Sequence, residues 1–274
     1  MRLNRASVLQ PRFRIFDIAC FITVIALSGC AAKRISLPTD PGAPLPDFAQ
    51  IHSQVAAACT GARTLTAELA LSGRAGRQRL RGRVVSGFQR PASMRLEGVA
   101  PFGPPAFILV AGGGDATLLL PRDDRVVRGA KAEEILGALT GVALAPADLQ
   151  AALTGCVVTM PRAIGGRLHN GGWASIELEG GASLYLRQDA GMWRIRAARR
   201  GAWEMEYPTW QGNFPSVVRL RSEATAQRID LTAQVSQLEV NVDVDASAFA
   251  VNVPASARPL SLQELRENGP LGTQ

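Results

Sequence analysis

Beyond Ala62 the chain alternates apolar and polar residues with a period of two. Leu65, Ala67, Leu69 and Leu71 alternate with Thr64, Thr66, Glu68 and Ala70. Leu80, Val84 and Phe88 stand against Arg77, Arg79, Arg81 and Arg83, which line up on the opposite face. Met94 and Leu96 continue the pattern, then Leu118 and Leu120, Ile176 and Leu178, and Leu184 and Leu186. Trp193 and Ile195 oppose Arg194 and Arg196, and Val218 and Leu220 face away from Arg219 and Arg221. Ile229, Leu231 and Val235 follow. The series closes with Leu238, Val240, Val242 and Val244 against Glu239, Asn241, Asp243 and Asp245. A period of two marks a strand with one buried face. Many such strands joined by short Gly-rich turns predict an antiparallel sheet with one wet face. With this many strands, the sheet should curl into a barrel or half-barrel. The arginine row reads as a solvated strand face rather than an anion site.

A helix precedes that series, and one stretch with two more helices breaks its period. Phe48 to Cys59 places Phe48, Ile51 and Val55 on one helical face. Lys131 to Leu139 reads as a second helix, with Ile135, Leu136 and Leu139 apolar and Glu133-Glu134 at the start, where acids favour the helix dipole. Pro146 to Leu153 reads as a third, with Pro146 at its first turn and Gly155 after its end. The second and third helices need somewhere to bury their apolar sides, and the concave face of the sheet offers it. The sheet then has either a filled core or an enclosed cavity. A short capped helix, Ser261 to Glu267, is expected against the outer sheet.

The turn in RLEGVAPFGPPAFIL, residues 95–109, is unusual. Its tip, Pro101-Phe102-Gly103-Pro104-Pro105, carries a large aromatic where turns normally place a polar residue. Phe102 either folds back into the core or touches something apolar outside the fold.

The N-terminus places the chain in a compartment. Arg2, Arg5, Arg12 and Arg14 precede an apolar stretch, Ile18 to Leu27, that is short for a membrane span. Leu27-Ser28-Gly29-Cys30 is similar to a bacterial lipobox, in which small residues precede a cysteine that is acylated before cleavage. The competing reading is an uncleaved anchor helix. The expected organisation is a signal peptide over 1–29 and a lipidated Cys30 with a Pro-rich tether over 30–47. A half-barrel domain over 48–260 and a C-terminal helix and tail over 261–274 complete it. Pro38, Pro41, Pro44 and Pro46 make the tether extended, with a reach on the order of 50 Å. Ala31, rather than Asp, after the lipidated cysteine suggests the outer membrane, with the protein facing the periplasm.

Removing residues 1–29 takes away four Arg and one Asp and lowers the formal net charge from +7 to +4. That balance and the scarcity of aromatics give no case for nucleic acid. A weak attraction to anionic lipid is compatible with it. Of the four cysteines, Cys59 and Cys156 remain once Cys20 is cleaved away and Cys30 lipidated. In an oxidising compartment they form a disulfide or stay as two buried thiols. His52 and His169 are isolated and no CxxC or HxxxH spacing occurs, so no metal site is expected.

The run from Arg83 to Cys156 resembles LolB, the outer-membrane receptor for lipoproteins, and more broadly the LolA/LolB family. The resemblance rests on an arginine-bearing strand, RLEGVAPFG, a strand pair around ATLLLPRDDRVVRG, and the helix pair AEEILGALTGVALAPADLQAALTG. The last third, VDVDASAFAVNVPASARPLSLQELR, with Phe249, Val251 and Pro254, is closer to the end of LolA. The fold implied is mainly β with α: a curved antiparallel half-barrel with short helices over its concave face. In LolB-like proteins a loop projects an apolar side chain between a proline and a glycine. Here that residue is Phe102, between Pro101 and Gly103; Pro104 and Pro105 stiffen the loop beyond the family pattern.

The implied function is to hold lipoprotein acyl chains in an apolar concavity and help insert them in the outer membrane. Leu136, Leu139, Val142, Leu149 and Leu153 are then lid or lining residues, or else plain core. The implied partners are lipoprotein acyl chains or another lipid, a periplasmic LolA-like carrier, and the membrane through the anchor. No cofactor is expected beyond the covalent lipid on Cys30. Catalysis lacks material: there is no GxSxG motif, and Gly112-Gly113-Gly114 lacks the following helix a phosphate loop needs. The rival reading is a Lol-fold scaffold or sensor in envelope assembly, or a carrier of another lipid.

Overall fold

Two antiparallel meanders, joined by a helical crossover, build one sheet. A computed structural model describes residues 34–112, 114–156, 161–223 and 228–267. A two-residue strand, β1 (Ala43–Pro44), and helix α1 (Phe48–Thr60) come first. The first meander is β2 (Thr64–Ala75), β3 (Gln78–Gln89), β4 (Ser93–Val99), β5 (Ile108–Gly112), β6 (Asp115–Leu120) and β7 (Arg125–Ala130). Helices α2 (Ala132–Thr140) and α3 (Pro146–Thr154) then carry the chain to β8 (Ala163–His169). The second meander continues with β9 (Trp173–Leu178), β10 (Ser183–Asp189) and β11 (Met192–Arg200). It ends with β12 (Trp203–Gln211), β13 (Phe214–Ser222) and β14 (Ile229–Val240). A short strand, β15 (Arg258–Pro259), and helix α4 (Leu262–Glu267) close the described chain.

Among the described residues the sheet order is β1-β8-β9-β10-β11-β12-β13-β14-β2-β3-β4-β5-β6-β7-β15. The second meander therefore ends beside the start of the first, where β14 pairs with β2. Every pairing is antiparallel except β15 on β7. The sheet is open and curved, as the period-two pattern implies.

Alternation decides which face is buried. Leu65, Ala67 and Leu69 of β2, Val84 and Phe88 of β3, and Ile176, Leu178, Leu184 and Leu186 of β9 and β10 enter one core. Arg79, Arg81 and Arg83 stay exposed on the other face of β3. α2 packs on β5, β6 and β7, α3 on β13, and α1 on β8 and β11. The approach of α1 needs a glycine: a Cβ on Gly166 would lie 2.3 Å from Phe48 Cβ.

The helix boundaries follow their local chemistry. Pro146 opens α3, where its missing N–H costs nothing. Gly141 and Gly155 end α2 and α3 in the left-handed conformation, at φ 78° and 74°. At α4, Ser261 Oγ accepts from the Glu264 N–H and Glu264 Oε2 accepts from the Ser261 N–H, a reciprocal cap.

Three sequence expectations need correction. The alternation ran on to Val244, yet β14 ends at Val240. Asn241 turns the chain at φ 59° and exchanges hydrogen bonds with the Arg63 N–H and the Gly61 carbonyl. α4 does not lie on the outer sheet; it packs on α2 and buries Leu265 in the main core. Part of the expected tether is docked: β1 pairs with Leu168 and Arg167, the Leu45 N–H donates to Gly166, and Leu45 packs on the core. Proline spaces its own backbone but leaves its carbonyls and its neighbours' N–H groups free to bond an edge strand.

Candidate functional site

The connection from β4 to β5 holds two phenylalanines with opposite fates. Its neck is closed by the Gly98 N–H donating to the Phe107 carbonyl at 3.0 Å and the Ala106 N–H donating to Gly98 at 2.9 Å. Phe107 is buried in the core, its ring filling the space that a side chain on Gly98 would take. Phe102 points the other way and is 88 % exposed, with Pro101 and Gly103 exposed on either side. Gly103 sits at φ 76°, a turn conformation that favours glycine.

Arg122, from the turn between β6 and β7, braces this tip. Its guanidinium donates to the carbonyl oxygens of Phe102 and Pro104. Both turns lie at the same end of the meander, so the hairpin after β6 meets the loop after β4. Sequence reading did not link Arg122 to Phe102. The available signal was topological, since alternate turns of a meander share one end.

The five residues expected to line a concavity lie where the helices meet the sheet. Leu136, Leu139 and Leu153 belong to the main core cluster, and Leu149 packs against it half-buried. Val142 belongs to a smaller cluster with Ala75, Leu80 and Ile229. Their apolar surfaces are satisfied by neighbouring side chains in this structure.

Cys59, in α1, is bonded to Cys156, just beyond α3. Ala151 packs against the pair. Tyr207 is buried nearby, its hydroxyl donating to the Cys156 carbonyl at 3.4 Å, and burial pushes its ionisation upward. Trp210 meets Tyr207 edge to face at 6.1 Å and lies over Gly155. Cys30 lies outside the described residues. Among the described residues, no group of three or more His, Cys, Asp or Glu side chains is placed to hold a metal ion.

No protein-family model and no curated protein matches the chain. Solved structures do. A DUF1329 family protein from Desulfovibrio piger superposes with a TM-score of 0.50 at 12% identity, covering 76% of this chain and 97% of that one. The two share a fold, an open, curved sheet with a few short helices. A LolA superfamily protein from Nitrosomonas europaea superposes with a TM-score of 0.48 at 10% identity, covering 76% of this chain and 98% of that one. At such identities the likeness is one of fold. In this chain α2 and α3 pack on the core face of the sheet, and Phe102 stands exposed on the loop between β4 and β5.

Proposed function

We propose that this is a lipid-anchored, LolB-like protein of the outer membrane, facing the periplasm. It binds lipoprotein acyl chains under α2 and α3 and helps insert them in the bilayer. The observation that carries this reading is Phe102, which projects from a braced loop while its neighbour Phe107 anchors that loop in the core. A phenylalanine moved from water into hydrocarbon gains about 1.5–3 kcal/mol, enough to bias contact without locking the protein to the membrane. Lipid on Cys30 would hold the chain close to that surface.

Cargo needs apolar shelter, since each methylene of an acyl chain gains about 0.8 kcal/mol on leaving water. Leu136 and Leu139 of α2 supply it by exchanging side-chain contacts for acyl contacts, an apolar-for-apolar trade. The disulfide ties the end of α3 to α1, which leaves α2 as the element that lifts. A periplasmic LolA-like carrier would deliver the cargo, and no bond is made or broken in the transfer.

A second reading is a Lol-fold scaffold or sensor, or a carrier of another lipid. It draws on the complete burial of Leu139 and Ile135 beneath α2. Native mass spectrometry separates the readings, using the purified chain incubated with a triacylated lipopeptide and, separately, with phospholipid. Retained lipopeptide, with transfer to liposomes weakened by Phe102→Glu, supports a lipoprotein receptor. Retention of phospholipid alone points to another lipid carrier, and retention of neither to a scaffold.

A further inference from the structure

The sheet also carries a charged pocket on the face opposite its core. Trp173 of β9 and Arg187 of β10 are register partners, and Leu186, next along β10, is fully buried on the other side. The Arg187 guanidinium stands 5.3 Å from the Trp173 ring centroid, and its Nη2 donates to the Gly171 carbonyl at 3.1 Å. β11 adds Arg196. The pairing of β10 with β11 steps from Tyr185–Ala197 to Leu186–Ile195 and skips Arg196, the extra residue of a β-bulge. Bulges re-aim side chains, and this one is held by Nη2 donating to the Pro208 carbonyl at 2.9 Å. Ile35 and Ser36 complete a cavity of about 340 Å³ with these three side chains.

The charges in this pocket are unbalanced. Arg194 nearby is paired with Asp189 at 3.3 Å. Among the described residues, neither Arg187 nor Arg196 has a carboxylate within ion-pairing distance. Burial draws the Arg196 ionisation downward; Asp189 opposes this, and Arg187 and Arg194 add to it. Each guanidinium offers five N–H donors in a rigid fork and gives one group to a backbone carbonyl. Two such forks beside an indole and an isoleucine suit a tetrahedral oxyanion that bears an organic substituent.

We propose that the pocket of Arg187, Arg196, Trp173, Ile35 and Ser36 binds the phosphate of a phosphate ester. Ile35 is the fifth residue after Cys30, and five residues span at most about 17 Å. On the reading that Cys30 is lipid-anchored, the pocket is within reach of phospholipid headgroups, whereas its anion chemistry is independent of that reading.

The test uses the mature chain, residues 30–274, carrying Cys30→Ser, so that neither the apolar N-terminal segment nor a lipid contributes. Calorimetry with glycerol 3-phosphate probes a free ester. Co-sedimentation with phosphatidylcholine vesicles, with and without phosphatidylglycerol, probes a headgroup. We expect saturable binding of at least one probe, weakened about tenfold or more in Arg187→Gln/Arg196→Gln and weakened by salt. Arg79→Gln/Arg81→Gln, on exposed β3 positions, should leave it unchanged. Glycerol 3-phosphate binding without vesicle binding assigns a soluble ester, and binding only to phosphatidylglycerol vesicles assigns the headgroup. If the glutamine variant fails to fold, Arg187→Lys/Arg196→Lys keeps the charge, removes the fork and should still bind several-fold more weakly. The proposal is overturned if neither probe binds, or if the variants bind as the parent does. Lipopeptide retention by Arg187→Gln/Arg196→Gln reads the proposed function separately, because these residues lie on the face away from α2 and α3.

Discussion

Cys59 and Cys156 are bonded with their Cα atoms 5.7 Å apart, although 97 residues separate them in the chain. The intervening chain contains the whole first meander and both crossover helices, so one covalent link fastens α1 to the end of α3.

Cutting that link frees a long loop in the unfolded state. Cys59→Ser/Cys156→Ser should lower stability by about 3–5 kcal/mol, the chain-entropy figure for a loop of this length. Guanidinium unfolding of the variant and the parent measures the difference, and the reductant dithiothreitol should lower the parent's midpoint but not the variant's. Equal midpoints in the parent with and without reductant would count against the bridge.

Phe102→Glu should leave the unfolding midpoint within about 0.5 kcal/mol of the parent, because an exposed tip residue touches little of the fold. Lipid transfer to liposomes should fall. Arg122→Ala releases the carbonyls of Phe102 and Pro104 and should lower transfer less, since the side chain itself is kept. A transfer assay on the two variants ranks them, and equal transfer by Phe102→Glu and parent would sink the membrane-contact role.

Glu206 is 1 % exposed and accepts from Arg219 and Arg221, both at 3.0 Å. Glu206→Ala removes the buried carboxylate that both guanidinium groups share, leaving Arg221 its bond to Glu204 at 3.1 Å, and should cost about 3–5 kcal/mol. Glu206→Leu/Arg219→Met should recover part of the loss, because it removes charge from both sides. Urea unfolding of the parent, Glu206→Leu, Arg219→Met and the double variant measures the coupling between the two positions.

Tyr207 gives the fold an alkaline limit. Burial raises its ionisation in the folded state above the unfolded value of about 10. The neutral phenol therefore stabilises the fold fully below that pH, and the contribution fades as pH rises past it. Stability should decline above about pH 10 with a slope of up to about 1.4 kcal/mol per pH unit. Tyr207→Phe should flatten the decline, as denaturant midpoints between about pH 8 and 11 will show.

Gly166→Ala places a methyl group where Phe48 Cβ already lies, 2.3 Å away. The expected outcome is a shifted α1 and a loss of about 1–3 kcal/mol. Hydrogen exchange should show the opening confined to α1 and its contacts on β8.

Much of this architecture is local chemistry and was legible residue by residue. Alternation over Leu65 to Leu71 and over Ile176 to Leu186 states which face of each strand is buried, because successive side chains leave a strand on opposite sides. Pro146, Gly141, Gly155 and the Ser261–Glu264 cap mark helix ends through backbone bonding that reaches only a few residues. The unusual turn at Phe102 belongs to the same short range, so the candidate loop could be singled out without coordinates, whereas the exposure of Phe102 could not.

What tertiary structure alone decided depends on which segments meet. Alternation assigned Arg219 to a strand face but did not show that Glu206 would bury it across β12. Nor did it show that Arg122 would hold the loop of Phe102, or that Arg196, at a bulge, would line one pocket with Trp173 and Arg187. The sequence determined the period, the caps and the turn chemistry, since these act through bonded neighbours. Strand order, the docking of residues from Asp40 to Leu45 on β8, and the pairing of distant charges were settled by packing. A residue's partners there are set by register and topology rather than by its place in the chain.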